Sequence, residues 1–129
     1  MKRVFLGGTC AETTWREELI QLLTIDFFDP VVENWDETAK RTELREREEC
    51  DFCLYVITPD MKGVYSIAEV VDDSNKRPEK TVFCYIPSKT ATYSKEAKTS
   101  LQAVGEMVER NGGRFLSNLQ KVADYLNKA

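Results

Sequence analysis

The sequence predicts a three-layer α/β/α domain on a five-stranded parallel sheet, in the flavodoxin- and Rossmann-like order 2-1-3-4-5. Short apolar, β-favouring runs recur along the chain, and segments with helical period lie between them. Neither an internal repeat nor a linker interrupts this alternation, so residues 1–129 read as a single domain. With 42% hydrophobic and 31% charged residues, the chain has the balance of an ordinary globular protein rather than a disordered one.

The first strand is expected at Val4–Leu6, ended by Gly7-Gly8. Trp15, Leu19, Leu22 and Leu23 then share one helical face, and Thr14 to Glu17 has the capping-box spacing. Asp26–Phe28 reads as the second strand. Between Asp36 and Cys50 nearly every residue is charged, so a largely exposed helix is expected, stabilised by pairs such as Glu43 with Arg47. Phe52–Ile57 is the third strand, followed by a helix whose apolar face carries Ile67, Val70 and Val71. Val82–Ile86 is the fourth, and the polar stretch Pro87–Lys95 reads as a mobile loop. Leu101, Val104 and Val108 mark the next helix, and Arg114–Leu116 a weak fifth strand. The last helix carries Leu119, Val122 and Leu126, opened by Ser117 and Gln120 as a second capping box. Strands alternating with helices require right-handed crossovers and helices on both faces of the sheet.

Composition excludes several functions. A net charge of −4, with both signs interleaved, gives no basic footprint for a nucleic-acid polymer or an anionic membrane, although a small nucleoside needs no such field. No apolar run approaches the roughly 18 residues of a membrane span, and the stretch after Met1-Lys2-Arg3 is too short for a signal-peptide core. A cytosolic protein is expected. The absence of histidine removes the commonest general base and imidazole metal ligand. Cys50 and Cys53 form a Cys-x-x-Cys, but between a charged helix and an apolar strand, not at a helix start. Cys53 and Cys84 read as core-facing strand residues, and neither metal nor cofactor is expected.

Open α/β sheets bind ligands beyond the carboxyl ends of the strands, where the strand order reverses. Here that crevice lies between the loops Gly7-Gly8-Thr9-Cys10 and Thr58-Pro59-Asp60-Met61-Lys62-Gly63. Neither loop is a phosphate-binding P-loop or a Gly-x-Gly-x-x-Gly, so the paired glycines signify a tight turn that lets a ligand approach the backbone. Glu69 falls in the first or second turn of the helix after the third strand, next to core-facing neighbours. A helix start favours its ionised form and burial opposes it. Glu43 can approach the same crevice from the preceding helix, and Asp60 lies in the loop itself. Each has a plainer reading: a dipole partner for Glu69, a solvated helix residue for Glu43, a turn residue for Asp60. Trp15 near the Gly-Gly loop is either core packing or a platform for a flat ligand.

In order along the chain, Phe5-Leu6-Gly7-Gly8, Glu43-Leu44, Cys50-Asp51 opening an apolar strand, Pro59 and the helix with Glu69 resemble the nucleoside 2-deoxyribosyltransferase family. Its wider superfamily includes nucleotide N-hydrolases. The similarity runs from about Val4 to Ile86 and looks like a shorter, divergent branch. The resemblance implies that Glu69 is a nucleophile that attacks the anomeric carbon of a deoxynucleoside to form a glycosyl ester. It implies that Glu43, where the family has an aspartate, contacts the base, with Asp60 sharing its protonation. Gly7, Gly8, Thr9, Trp15, Pro59, Gly63 and Tyr65 are then the expected substrate-binding residues. It also implies a homo-oligomer, sites of this family being shared between subunits.

The sequence departs from the family at three places. Phe5 replaces a tyrosine that hydrogen-bonds the nucleophile, leaving Tyr65 or Tyr55 as the substitute donor. Gly63-Val64-Tyr65-Ser66 stands where repeated glycines are usual. Gly112-Gly113-Arg114-Phe115 resembles a hydrolase segment but has glycine in place of a phosphate-binding serine. The expected activity is cleavage of an N-glycosidic bond with transfer to a second base or to water, and the alternative is a nucleotide-binding sensor domain without turnover. A response-regulator receiver is a poor third choice, for it needs an acidic cluster after the first strand and a phosphorylatable aspartate directly after the third, where Thr58 stands.

Overall fold

The computed structural model describes residues 1–10 and 13–129, and its centre is the strand β1, Arg3–Gly8, which is paired on both sides. β1 lies between β2 (Asp26–Phe28) and β3 (Phe52–Ile57); β3 pairs with β4 (Thr81–Tyr85) and β4 with β5 (Arg114–Phe115). All pairs are parallel, and the order is β2-β1-β3-β4-β5, as expected from the sequence. The helices are α1 (Trp15–Leu22), α2 (Glu37–Glu49), α3 (Tyr65–Lys76), α4 (Lys95–Arg110) and α5 (Leu119–Lys128), with a 3₁₀ turn at Pro78–Lys80 leading into β4. No helix among the described residues is long and apolar enough to cross a membrane.

Side chains alternate across the sheet and so divide the core into two. Val4, Leu6, Leu54, Val56, Val82 and Cys84 face Trp15 and Leu19 of α1 and Val122 and Leu126 of α5. Phe5, Cys53, Tyr55, Ile57 and Phe83 face Val70 of α3 and Leu101 and Val108 of α4. Being covered on both sides, β3 needs an unbroken apolar run, and Phe52–Ile57 is buried throughout. Each such aliphatic or aromatic side chain contributes about 1.5–3 kcal/mol by leaving water. Cys53 and Cys84 belong to opposite cores as free thiols, and burial pushes both up to about 12.

Four local expectations are corrected. Thr14 precedes α1 but makes no side-chain cap, and α5 is capped by Asn118, whose Oδ1 accepts from the Lys121 amide at 2.8 Å, rather than by Ser117. The extended backbone at Asn118 aims its side chain at the free amides, one residue later than the capping-box spacing suggested. Leu22 lies toward the edge of the apolar face of α1 and is 37% exposed. The charged segment does form α2, yet Glu46 and Arg47 are buried, and Arg47 pairs with α3 instead of with Glu43. Tertiary partners outcompete the i,i+4 neighbour because Asp73 is fully buried and needs a cation. Asn118→Ala should cost about 1 kcal/mol in denaturant unfolding, and Ser117→Ala almost nothing.

The polar stretch after β4 is irregular up to Ser94, which caps α4 through the Ala97 amide at 3.0 Å. Tyr93 anchors it by donating its hydroxyl to the Ile57 and Ile86 carbonyls at 3.0 and 2.6 Å.

Candidate active site

At the carboxyl end of β1 lies a cavity of about 240 Å³ whose floor is Phe5, Gly7 and Gly8. Ser66 and Glu69 enter it from α3, Glu43 from α2, and Arg16 and Cys10 from the side of α1. The connection from β2 to α2 closes it with Pro30, Val31, Val32 and Trp35. An adjoining cavity of about 280 Å³ shares Gly8, Cys10 and Ser66 and is bounded by Thr9, Lys62, Gly63 and Tyr65. This pair of hollows occupies the reversal of strand order, as open α/β sheets require.

The glycines of the floor answer to packing. A Cβ on Gly7 would stand 2.6 Å from the Tyr55 ring, which is its neighbour in β3. Gly8 has φ +118°, and a Cβ there would meet the Val56 carbonyl oxygen at 2.0 Å. Thr9 and Thr58 hold the ends of β1 and β3 together: the Thr9 amide donates to the Val56 carbonyl, and the Thr58 amide to Thr9 Oγ1. Arg16, itself buried, ties the same turn by donating to the carbonyls of Leu6 and Thr9 at 2.7–3.1 Å.

Glu69 is in the second turn of α3, and only 7% of it is exposed. Among the described residues its buried Oε2 has no hydrogen-bond partner, and Arg47 Nη1 stands 3.6 Å away. Burial pushes the Glu69 carboxyl up to about 9; the adjacent Glu43 carboxyl pushes the same way, and Arg47 opposes them. Burial and the neighbouring carboxyl together favour the protonated form of Glu69 in the resting site.

Behind Glu69 is a buried network that sequence reading missed. Arg47 donates to Asp73 through Nη2 at 2.8 Å and Nε at 3.3 Å, and to Asp72 at 3.1 Å. Asp73, with no exposed surface, also accepts from the Tyr55 hydroxyl at 2.5 Å and from Arg77 Nη1. Burial opposes the charge on Arg47, but the Asp73 carboxylate more than offsets it and holds the guanidinium above its ordinary value. Burial and the same carboxylate push the Tyr55 phenol well above its usual range. A signal was present in the Asp72-Asp73 pair, which continues the helical face of Glu69, but nothing local assigns Arg47 to it.

The structure brings Glu69, Glu43, Gly7 and Gly8 into one cavity and places Thr9, Gly63 and Tyr65 in its neighbour. Three other expected residues lie elsewhere. Asp60 binds Thr58 and Thr90 and lines a separate cavity of about 690 Å³ near α1; those hydroxyls hold its carboxyl below the usual range. Trp15 belongs to the core beneath α1, and its indole donates to the Thr9 carbonyl at 3.0 Å. Pro59 borders a large apolar groove between α3 and α4. Neither Tyr55 nor Tyr65 donates to Glu69: the first is committed to Asp73, and the second is 62% exposed. Arg16, Cys10, Ser66 and the apolar lip Val31, Val32 and Trp35 were not anticipated, because the β2–α2 connection has no periodicity to mark it.

Fold and site together define an open α/β protein with a carboxylate-lined crevice at its topological switch point. The family described as "Nucleoside 2-deoxyribosyltransferase like" matches residues 1–89, and the chain belongs to that family. The family is one of N-glycosidic transferases and hydrolases, and it implies nucleoside or nucleotide ligands. No curated protein and no solved structure gave a significant match.

Proposed function

We propose that this chain is an enzyme that cleaves the N-glycosidic bond of a deoxynucleoside or deoxynucleotide through a glycosyl ester on Glu69. The observation that carries the reading is the buried Glu69 carboxyl, one oxygen unpartnered, opening beside Glu43 on a cavity of about 240 Å³.

In this mechanism Glu69 passes its proton to Glu43 as substrate binds and attacks the anomeric carbon while the bond to the base breaks, and Glu43 gives that proton to the leaving base. The products of that step are the Glu69 ester, the free base and an ionised Glu43. Glu43 then takes a proton from water, or from a second base, as that acceptor attacks the ester. Free sugar or a new nucleoside leaves, and both carboxyls return to their first state. Asp60, in its separate cavity, serves this reading as a support for the loop rather than as an acid. Gly7 and Gly8 shape the floor, and Gly63 and Tyr65 line the space beyond it for the rest of the substrate. Trp35, 55% exposed at the lip, is the surface on which a base would stack.

Chromatography of purified protein with deoxynucleosides and deoxynucleotides, with and without a second free base, tests the proposal. A new nucleoside identifies a transferase, and base released into water a hydrolase. A second reading, a nucleotide-binding domain without turnover, is favoured by Phe5, which brings no hydroxyl to the cavity; binding of a nucleotide with no product formed across the panel would select it. Trp35→Ala should raise KM or Kd about tenfold with little change in Tm, because base–aromatic stacking contributes about 1–3 kcal/mol. A cytosolic homo-oligomer completes the proposal, and light scattering of the purified protein tests the assembly.

A further inference from the structure

The proposed chemistry uses Glu69 and Glu43 and leaves the buried charges behind them without a task. These are Arg47 of α2, Tyr55 of β3, and Asp73 and Arg77 at the end of α3. Asp72 also touches Arg47 but pairs at the surface with Lys76 at 3.0 Å. A salt bridge made only for stability would satisfy all its members, because an unpaired buried polar atom is costly. Here one atom is left over, and it is Glu69 Oε2.

The geometry explains the omission. Arg47 spends Nε and Nη2 on Asp73, which fixes the guanidinium plane. Nη1 then rests 3.6 Å from Oε2, inside the range of Coulomb attraction and beyond that of a hydrogen bond. The cation therefore favours the carboxylate by charge alone, from beside its buried oxygen. Tyr55 and Arg77 hold Asp73 from the other side, so the clamp cannot turn toward Glu69.

We propose that Arg47, clamped by Asp73, is the positioning residue of Glu69, its cation standing beside the buried Oε2 and favouring the ionised form that attacks, where a strand-one hydroxyl is lacking at Phe5. This rests on the reading of Glu69 as the nucleophile. The groups facing Glu69 are Glu43 and Arg47 from α2, Asp73 within α3, Tyr55 from β3, and Arg16 and Cys10 across the cavity. Of the two cations, Arg16 is occupied by backbone carbonyls and Asp29, so Arg47 is the one aligned on Oε2.

The test is the titration of Glu69 by carbon NMR in protein labelled at glutamate carboxyls, assigned with Glu69→Gln, alongside the pH profile of kcat/KM. Arg47→Gln should raise the Glu69 midpoint by about one unit or more, since a unit charge lost at this distance is of that size. It should lower kcat about a hundredfold while KM moves less than about threefold, the mark of an interaction used in the transition state. Arg47→Lys should restore most of the midpoint but little of kcat, because an ammonium cannot hold Asp73 and face Glu69 together. Asp73→Asn should act with the opposite sign: Arg47 is released onto Glu69, the midpoint falls, and kcat still drops. If Arg47→Gln does not fold, the Asp73→Asn and Arg47→Lys midpoints decide. A Glu69 midpoint unmoved in folded Arg47→Gln, or unmoved or raised in Asp73→Asn, overturns the proposal. Wild-type protein without turnover overturns the enzymatic reading instead, and the titrations still judge the clamp.

Discussion

Glu69→Gln should abolish the proposed glycosidic turnover while making the protein more stable. The amide cannot form the ester, so the chromatographic assay should fall to background, and no sugar adduct should be trapped on denatured protein. Glutamine has nearly the same shape and carries no charge, so the cavity keeps its form. The stability gain follows from proton linkage. Glu69 is raised in the folded state from an ordinary 4.5 to about 9, chiefly by burial. Its contribution to stability is therefore intact below pH about 4.5 and is lost as pH rises toward about 9, where the folded carboxyl must also ionise. Glu69→Gln escapes that loss. Its Tm should match the wild type in acid and exceed it increasingly above neutral pH. A Tm lower than the wild type at pH 8 would show Glu69 to be a structural partner. On the proposed mechanism turnover should fall as pH passes about 9, when the Glu69 proton destined for the leaving base is gone. Stability given up at a reacting group is a common trade.

Gly8→Ala is the structural counterpart and should be among the most damaging single substitutions in the chain. Gly8 is the last residue of β1, paired in register with Val56 of β3 and held at φ +118°. An added Cβ meets the Val56 carbonyl oxygen at 2.0 Å, the amide nitrogen at 2.6 Å and the carbonyl carbon at 2.8 Å. Those atoms are backbone and cannot move aside as a flexible side chain would. The unfavourable φ and the clash act together, and a loss of about 3–5 kcal/mol is expected in denaturant unfolding. Gly63→Ala is the control, for its Cβ would meet nothing within 4 Å. The result separates two meanings of a glycine pair. A ligand-approach role predicts lost binding in a folded protein; the packing described here predicts lost folding first.

Much of the fold follows from local pattern. The run Phe52–Ile57 has no polar residue and admits one solution, a strand covered on both faces. Once two such strands are separated by amphipathic helices, parallel pairing and crossover handedness follow, and with them the end of the sheet at which a ligand binds. Glu69 was legible because Val70 beside it in α3 is wholly buried, which holds a carboxylate near the core. Strand and helix ends were less legible, since β1 gains Arg3 by pairing with β2 and Gly7 and Gly8 by pairing with β3, and the α5 cap turns on the backbone angle at Asn118.

The strand order, the crevice and the meeting of Glu43 with Glu69 were written in the sequence, through hydrophobic period and family pattern. Tertiary structure alone decided what surrounds that pair. Arg47 sits in a segment so charged that every residue has a sequence neighbour of opposite sign, and local rules assign it to Glu43. Only packing α2 against α3 brings it to Asp73, 26 positions away. Only the sheet delivers Tyr55 to the same carboxylate, 18 positions away, at 2.5 Å. Charge pairing in a low-dielectric interior is set by which groups lose water together, and that is a property of the folded chain.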